Sequence, residues 1–490
     1  MKKHFTHFII VALVLVSQVG ISQKKAQFTL LEGQGIIGGV ISSISSNGRY
    51  ATGTTSSDNS FLVDIVAGTT TIIEGPEVLR DGKVSKRFAA YDVSNDGTIV
   101  GTYYDPNTTH IGSNGAESSR EMPCMYKDGV FTTLAKLEDS EYFNYETSNA
   151  SGISGDGNTI VGITESSQPY AAGTSTAVAW RDNGASITAL EQVPTPNATS
   201  AGQGANAWSV SDDGRVAAGW ALYEAFVSSE YGDYYTNEKS PVVWHDGVIT
   251  RLGTSHVSSV FVSANGKYVG ASDLGVDADG REVAGIPFIW SLEEGKKFYP
   301  INEGFKSANV LGITDDGSRA MIVATRQSYS STVVLDNGEL STLENFLKIN
   351  YDYEIPDGAS YIAARGMSAD GNTIVGQCLM PAGYGGAVRE VLTGFILELS
   401  DLTSIKKVAL TQTEVSVAVN NSILSIASLN GTERIESMRV YAAGGNQIIS
   451  QENINSTNLD VNMSAYAAGI YVVRVVTDKG TLAKKIVLKK

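Results

Sequence analysis

The sequence predicts an all-β protein, a seven-bladed β-propeller followed by a small Ig-like β-sandwich. Three observations lead to that expectation. The 490 residues include 51 glycines, only 11 prolines, 22 tyrosines and 18% charged residues, the composition of a turn-rich β protein. One five-residue pattern recurs seven times at intervals of 49 to 60 residues. Beyond residue 400 the pattern stops, and Val, Ile, Ser and Lys replace the aromatic and acidic residues that precede it.

The pattern is an apolar residue, Ser or Thr, two small or polar residues, then Gly. It runs from Ile44-Ser45-Ser46-Asn47-Gly48 to Met367-Ser368-Ala369-Asp370-Gly371, with its glycines at 48, 97, 157, 214, 266, 317 and 371. Six copies continue into a short run ending in glycine, such as Thr98-Ile99-Val100-Gly101; the sixth along the chain reads Met321-Ile322-Val323-Ala324 instead. A third apolar run follows, carrying Trp180, Trp244 and Trp290 in three repeats, then a polar turn and a fourth run. Four short strands per repeat make one propeller blade, with those three tryptophans in the core. Asn-Gly and Asp-Gly suit the first turn because glycine accepts a positive φ without a steric penalty. The Ser or Asp just before it can hydrogen-bond the turn's own backbone, so turn chemistry accounts for these acidic residues.

The last repeat runs out near residue 399 without a fourth strand, while Gln27-Phe28-Thr29-Leu30-Leu31 is spare ahead of the first. An open ring would expose an edge, so residues 28–31 are expected to supply the outer strand of the last blade. In a four-stranded blade the second-to-third and fourth-to-first connections lie opposite the Asp-Gly turns. The long connections, 102–123, 163–176, 220–241, 271–287 and 377–393, all fall on that rim. Variable segments on a rigid scaffold are where recognition concentrates. The candidate ligand-binding residues are therefore Tyr103, Tyr104, Tyr170, Trp220, Tyr223, Tyr234, Tyr235 and Tyr384. Their rings suit sugar faces or protein side chains, and equally suit packing the connections onto the blades.

Between the first 22 residues and Lys406 the chain carries 24 basic and 46 acidic residues, a charge that repels a phosphate backbone and excludes nucleic acid as a partner. The catalytic inventory is thin. His110, His245 and His256 have no zinc-ligand spacing, and His245 falls in a solvated third-to-fourth strand turn. Asp273, Asp277 and Asp279 before Gly280 resemble part of a calcium loop, with Gly275 where a middle carboxylate would stand; calcium is the one cofactor to consider. Gly33-Gln34-Gly35-Ile36-Ile37-Gly38 spells a dinucleotide-type glycine pattern without the strand-turn-helix context that would give it meaning. Cys124 and Cys378 lie in non-adjacent repeats and are expected to be buried and unpaired.

Residues 1–22 have a basic start at Lys2 and Lys3, an apolar stretch over 8–16 and small residues at Gly20 and Ser22. That order predicts a secretory signal peptide, and no later stretch is long and apolar enough to span a bilayer. The repeats, over 23–400, resemble the HAF-type repeats of bacterial extracellular proteins. Their Ser-x-Asp-Gly turn is superficially similar to a sialidase Asp box but lacks the Thr-Trp pair that follows it, so sialidase chemistry is not carried over.

Over 405–490 a second resemblance is close. Met438-Arg439-Val440-Tyr441 with Gly444-Gly445, then Leu459-Asp460-Val461, Gly469-Ile470-Tyr471-Val472-Val473 and the terminal Lys484-Lys485-Ile486-Val487-Leu488 resemble the C-terminal sorting domain of type IX secretion (Por) substrates. Ala442-Ala443 stands where many members have a polar pair. The resemblance implies passage across the outer membrane of a Bacteroidetes-type bacterium, with Gly469, Tyr471, Lys484 and Lys485 in the sorting motif and the type IX machinery as partner. The expected protein is a secreted or surface-attached β-propeller that binds a glycan or protein ligand, for adhesion or nutrient capture. The alternative is a carbohydrate-active hydrolase or lyase using acidic residues on the long-connection rim.

Overall fold

The structure is a computed structural model that describes residues 24–31, 36, 38–57, 59–111, 115–135, 137, 148–165, 175–194, 204–230, 232–254, 259–276, 280–301, 307–326, 329–384, 387–401, 415–429, 431–442 and 447–489. The proposed signal peptide over 1–22 and most of the Gly33–Gly38 pattern lie outside the described residues. The chain divides into two units, Met1–Thr403 and Ser404–Lys490.

The larger unit is built from seven four-stranded antiparallel sheets among its described residues. Six use consecutive strands, spanning 40–73, 88–133, 149–189, 205–251, 261–298 and 307–342. The seventh combines three strands from 360–401 with Lys24–Leu30, which pairs antiparallel with Ala387–Asp401 in the register Phe28↔Leu397 and Leu30↔Phe395. The last sheet is thus completed from the other end of the chain, as expected, three residues earlier than the sequence suggests. The Phe28 and Phe395 rings stack with centroids 4.8 Å apart.

Each sheet packs face to face on the next, and seven apolar clusters fill the gaps, one per pair of neighbours. The cluster of Ile41, Phe61 and Val63 with Val375 and Ile396 joins the first sheet to the seventh. A second closure runs through the turns. Asn47 N donates to Asn95 Oδ1, Asn95 N to the Gly155 carbonyl, Asp156 N to Asp212, Asp212 N to Ala264, Asn265 N to Asp315 Oδ1, Asp315 N to Ala369 and Ala369 N to Ser46. That circuit visits every sheet and returns to the first, which is a propeller-like arrangement.

The repeated pattern has a local reason in each turn. The Ser or Thr hydroxyl donates to the Asp or Asn two residues on, at 2.5–2.8 Å in all seven copies, and the turn glycine has positive φ, from 69° to 87°. Trp180 and Trp244 are fully buried and donate their indole N–H to the carbonyls of Ala135 and Glu191. Trp290 is only half-buried, at the edge of the cluster between the fourth and fifth sheets, and is less of a core residue than its sequence position suggests. Cys124 and Cys378 are both buried, and neither forms a disulfide.

The smaller unit has a three-stranded sheet from Val415–Asn420, Ile423–Ser428 and Asn458–Asn462. Its four-stranded sheet comprises Gln447–Gln451, Ile435–Ala442, Gly469–Thr477 and Gly480–Leu488. Val417, Leu424 and Ile426 of the first meet Met438, Val440, Val473 and Val475 of the second in one core, as two facing sheets with alternating inward residues require.

Candidate functional site

The long rim connections are not irregular loops in four of the sheets. Ile99–Ile111 pairs with Glu117–Lys127, Val216–Val227 with Tyr234–His245, Tyr268–Val276 with Glu282–Ser291, and Thr373–Tyr384 with Ala387–Asp401. Each is a two-stranded ribbon that prolongs the middle strands of its sheet at the end opposite the Ser-Asp-Gly turn. Pairing satisfies the backbone groups that a loop of that length would leave to water.

This geometry sorts the candidate aromatic residues. Tyr103 is buried, stacked on Phe131 at 5.3 Å, with its hydroxyl 2.5 Å from Thr133 Oγ1. Burial pushes its pKa up to about 12. Trp220 is buried beneath Lys239, whose ammonium lies 4.1 Å from the ring centre. Tyr223 is buried under Arg251 and donates its hydroxyl to the Thr254 carbonyl. These three residues pack the rim together rather than display a surface, because each stands on a strand face turned toward a neighbouring element. Tyr104 is half-buried, with the guanidinium groups of Arg80 and Arg87 5.0 and 5.8 Å from its ring. Arg87 also bonds Glu121 at 3.2 Å. Tyr170 lies outside the described residues, as does the side chain of Tyr384.

Tyr234 and Tyr235 are exposed, 53% and 44%, near the tip of the fourth-sheet ribbon. They sit opposite Val227 and Phe226, and Phe226 is itself 58% exposed. The Phe226 and Tyr235 rings meet edge to face at 5.3 Å. Ser228 Oγ bonds Asp233 across the tip at 2.7 Å, and Ser229 Oγ bonds the Gly232 carbonyl at 2.8 Å. Phe226 does not stand out in the sequence among the tyrosines; its pairing with Tyr235 near the ribbon tip is what exposes it.

Asp273 is buried, holds the Lys296 ammonium at 2.8 Å and accepts from the Thr254 N–H at 3.0 Å. Its charge is therefore already met by a cation of the chain, while Asp277 and Asp279 lie outside the described residues. His245 is exposed beside Asp246, in the solvated turn the sequence suggests. In the smaller unit Gly469 opens a strand opposite Leu488, and Tyr471 is buried with its hydroxyl donating to the Ala467 carbonyl. Lys484 and Lys485 are exposed on the neighbouring edge strand, opposite Val473 and Val472.

A second polar cluster lies near the turns, and two of its members, Ser46 and Asp212, belong to copies of the repeated pattern. Ser43, Ser46, Asp92, Ser209 and Asp212 line a cavity of about 60 Å³ together with apolar residues that include Phe261, Ile313 and Met367. That space is large enough to hold water. Burial raises the pKa of Asp92 to about 6 and also raises that of Asp212.

Residues 403–488 match a domain of unknown function (DUF8694). No curated protein matches the chain. Among solved structures the chain is similar to an oligogalacturonate lyase from Vibrio parahaemolyticus, at 10% identity and a TM-score of 0.42, over 77% of this chain and 98% of that one. It is also similar to U3-55K, at 11% identity and a TM-score of 0.37, over 76% and 98%.

Proposed function

We propose that the larger unit is a seven-bladed propeller that binds a glycan or protein ligand through its ribbon-bearing rim, and that the chain is exported for this purpose through a type IX secretion system. The observation that carries the binding reading is the fourth-sheet ribbon. It holds Phe226, Tyr234 and Tyr235 out to solvent on paired strands, with Phe226 and Tyr235 in edge-to-face contact. Large aromatic rings kept exposed on an ordered support are a recognition surface more than a packing device. Surface attachment through the 405–490 domain belongs to the same reading.

A glycan array probed with the full chain tests the binding. Replacing Phe226, Tyr234 and Tyr235 together by Ala removes two or three aromatic contacts of about 0.5–1.5 kcal/mol each, so affinity for any sugar that binds falls by about fivefold or more. Unchanged affinity in that variant contradicts the reading. Product analysis on each bound sugar separates recognition from turnover by rim carboxylates.

A further inference from the structure

The rim of the second sheet gathers two arginines around one tyrosine ring, in a unit whose charge balance is acidic. Two short segments bring them there. The hairpin of Val78–Arg80 and Lys83–Ser85 is fastened to the second-sheet ribbon by Asp81 N, which donates to Ser118 Oγ at 2.9 Å, and by Arg80 Nη1, which donates to the Ser119 carbonyl at 3.3 Å. Arg87 immediately precedes the strand Phe88–Val93, where the backbone is closely held. Gly75 N donates to the Lys86 carbonyl at 2.8 Å, and a Cβ on Gly75 would stand 2.6 Å from the Arg87 carbonyl oxygen. Both guanidinium groups thus reach Tyr104 from anchored backbone.

Arg87 is held by one corner. Its Nη1 donates to the Tyr104 hydroxyl at 3.3 Å and to Glu121 Oε2 at 3.2 Å, while Nε and Nη2 have no partner among the described residues and the side chain is 37% exposed. Nε–H and the adjacent Nη2–H are the parallel donors that fit a carboxylate through two hydrogen bonds. Hydroxyls and an acceptor lie in the same network. Glu121 Oε1 accepts from Thr102 Oγ1 at 2.7 Å, and Thr102 Oγ1 lies 3.4 Å from the hydroxyl of Tyr91, itself 38% exposed. Of the neighbouring cations, Arg80 stands 3.7 Å from Asp81, and Lys86 bonds Glu74 at 3.2 Å.

We propose that this part of the rim is a subsite for a uronic acid, a sugar whose carboxylate takes the Nε–Nη2 edge of Arg87 and whose ring hydroxyls meet Glu121 and the hydroxyls of Tyr91 and Tyr104. The inference rests on the reading of the rim as a glycan-binding face and narrows it to one class of sugar. A neutral sugar leaves the paired donors to water. An acidic side chain of a peptide can use those donors but brings no hydroxyl to Glu121, which accepts hydrogen bonds and repels a second carboxylate. A ligand densely charged along its length meets the field of 46 acidic residues against 24 basic ones, so the fitting glycan carries single uronates set among neutral sugars.

The test is a glycan array of neutral oligosaccharides that each carry one glucuronate or galacturonate residue, every one beside its carboxyl-reduced twin, probed with the full chain. Reduction of the carboxylate lowers affinity about tenfold or more, the worth of a charge-assisted pair of hydrogen bonds. Arg87→Lys keeps a cation beside Glu121 without the parallel donors, and Arg87→Gln removes the charge, so the ratio between twins falls toward one in both. That ratio is taken within one protein and does not move with the fraction folded. Equal binding of the twins by the natural protein overturns the subsite and leaves the rim reading standing, whereas an array on which no glycan binds overturns both. A ratio kept in full by both variants places the carboxylate elsewhere and overturns the assignment to Arg87. A glutamate-rich peptide that binds as tightly as the acidic sugars, and is lost with Arg87→Gln, overturns the sugar class. Should neither variant fold, phenylglyoxal labelling of Arg87 in the natural protein replaces them: protection by the acidic sugar and not by its twin is expected, and equal labelling overturns the proposal.

Discussion

At the scale of single residues, the glycine that ends each second-strand run is explained by contact rather than by φ. A Cβ on Gly53, Gly101, Gly162 or Gly219 would stand 1.9–2.1 Å from a carbonyl oxygen of the innermost strand, that of Val40, Ala89, Asn149 or Asn206. Those carbonyls sit beside a β-bulge, where the pairing of the strand slips by one residue. Gly219→Ala is expected to destabilise the larger unit by roughly 3 kcal/mol, the upper end for overpacking, as read from its urea midpoint. A loss under about 0.5 kcal/mol, normal for a surface change, contradicts the explanation. The sixth sheet shows the limit of the rule, since Ile322 occupies the corresponding place opposite Val310.

The acidic turns carry a pH dependence of their own. Burial alone would raise the pKa of Asp96, but hydrogen bonds from Lys127, Ser94 and Thr98 hold it well below the ordinary carboxylate range. Asp156 is lowered in the same way by Ser154 and Asn158. A depressed carboxylate adds stability above its unfolded pKa and loses it as pH falls below, so the turns weaken under acid from about pH 4 downward. Asp96→Asn therefore flattens the acid limb of the stability profile, and an unchanged limb contradicts the assignment. Turn chemistry was legible in the sequence because each Ser-x-Asp-Gly is local. The axial pair was not, since Asp92 and Asp212 are 120 positions apart and meet only once sheets are stacked around an axis.

At the scale of elements, periodicity in the sequence marked four strands per repeat and the spare strand at the start. It could not mark the ribbons. Segments such as 102–123 and 220–241 mix Tyr, Thr, Asn and Glu without strict alternation, and their strand character comes from pairing across the hairpin. The aromatic candidates divide by their place along the ribbon: Trp220 and Tyr223 stand nearer the sheet and are covered, while Phe226, Tyr234 and Tyr235 stand near the tip and are open. The helix Leu343–Tyr351 was also hidden among strands. Thr342 caps it through a bond from Asn345 N, and Leu343, Phe346 and Leu347 bury one face between the sixth and seventh sheets.

At the scale of the whole molecule, the account joins a closed ring to a rim that differs from sheet to sheet. Uniform turns at one end link the sheets, which leaves the ribbons at the other end free to vary in length and in what they display. The strongly acidic balance of the repeats disfavours polyanionic partners. All of this requires that the two ends of the larger unit meet. Gln27 and Glu398 face one another in the closing pair, with both residues at least partly exposed. The deciding measurement is peptide mapping of Gln27→Cys/Glu398→Cys under oxidation, with Cys124 and Cys378 left in their buried places. A closed ring yields an intramolecular disulfide between positions 27 and 398 under native conditions; free thiols at both positions, or cross-links only between molecules, would contradict it.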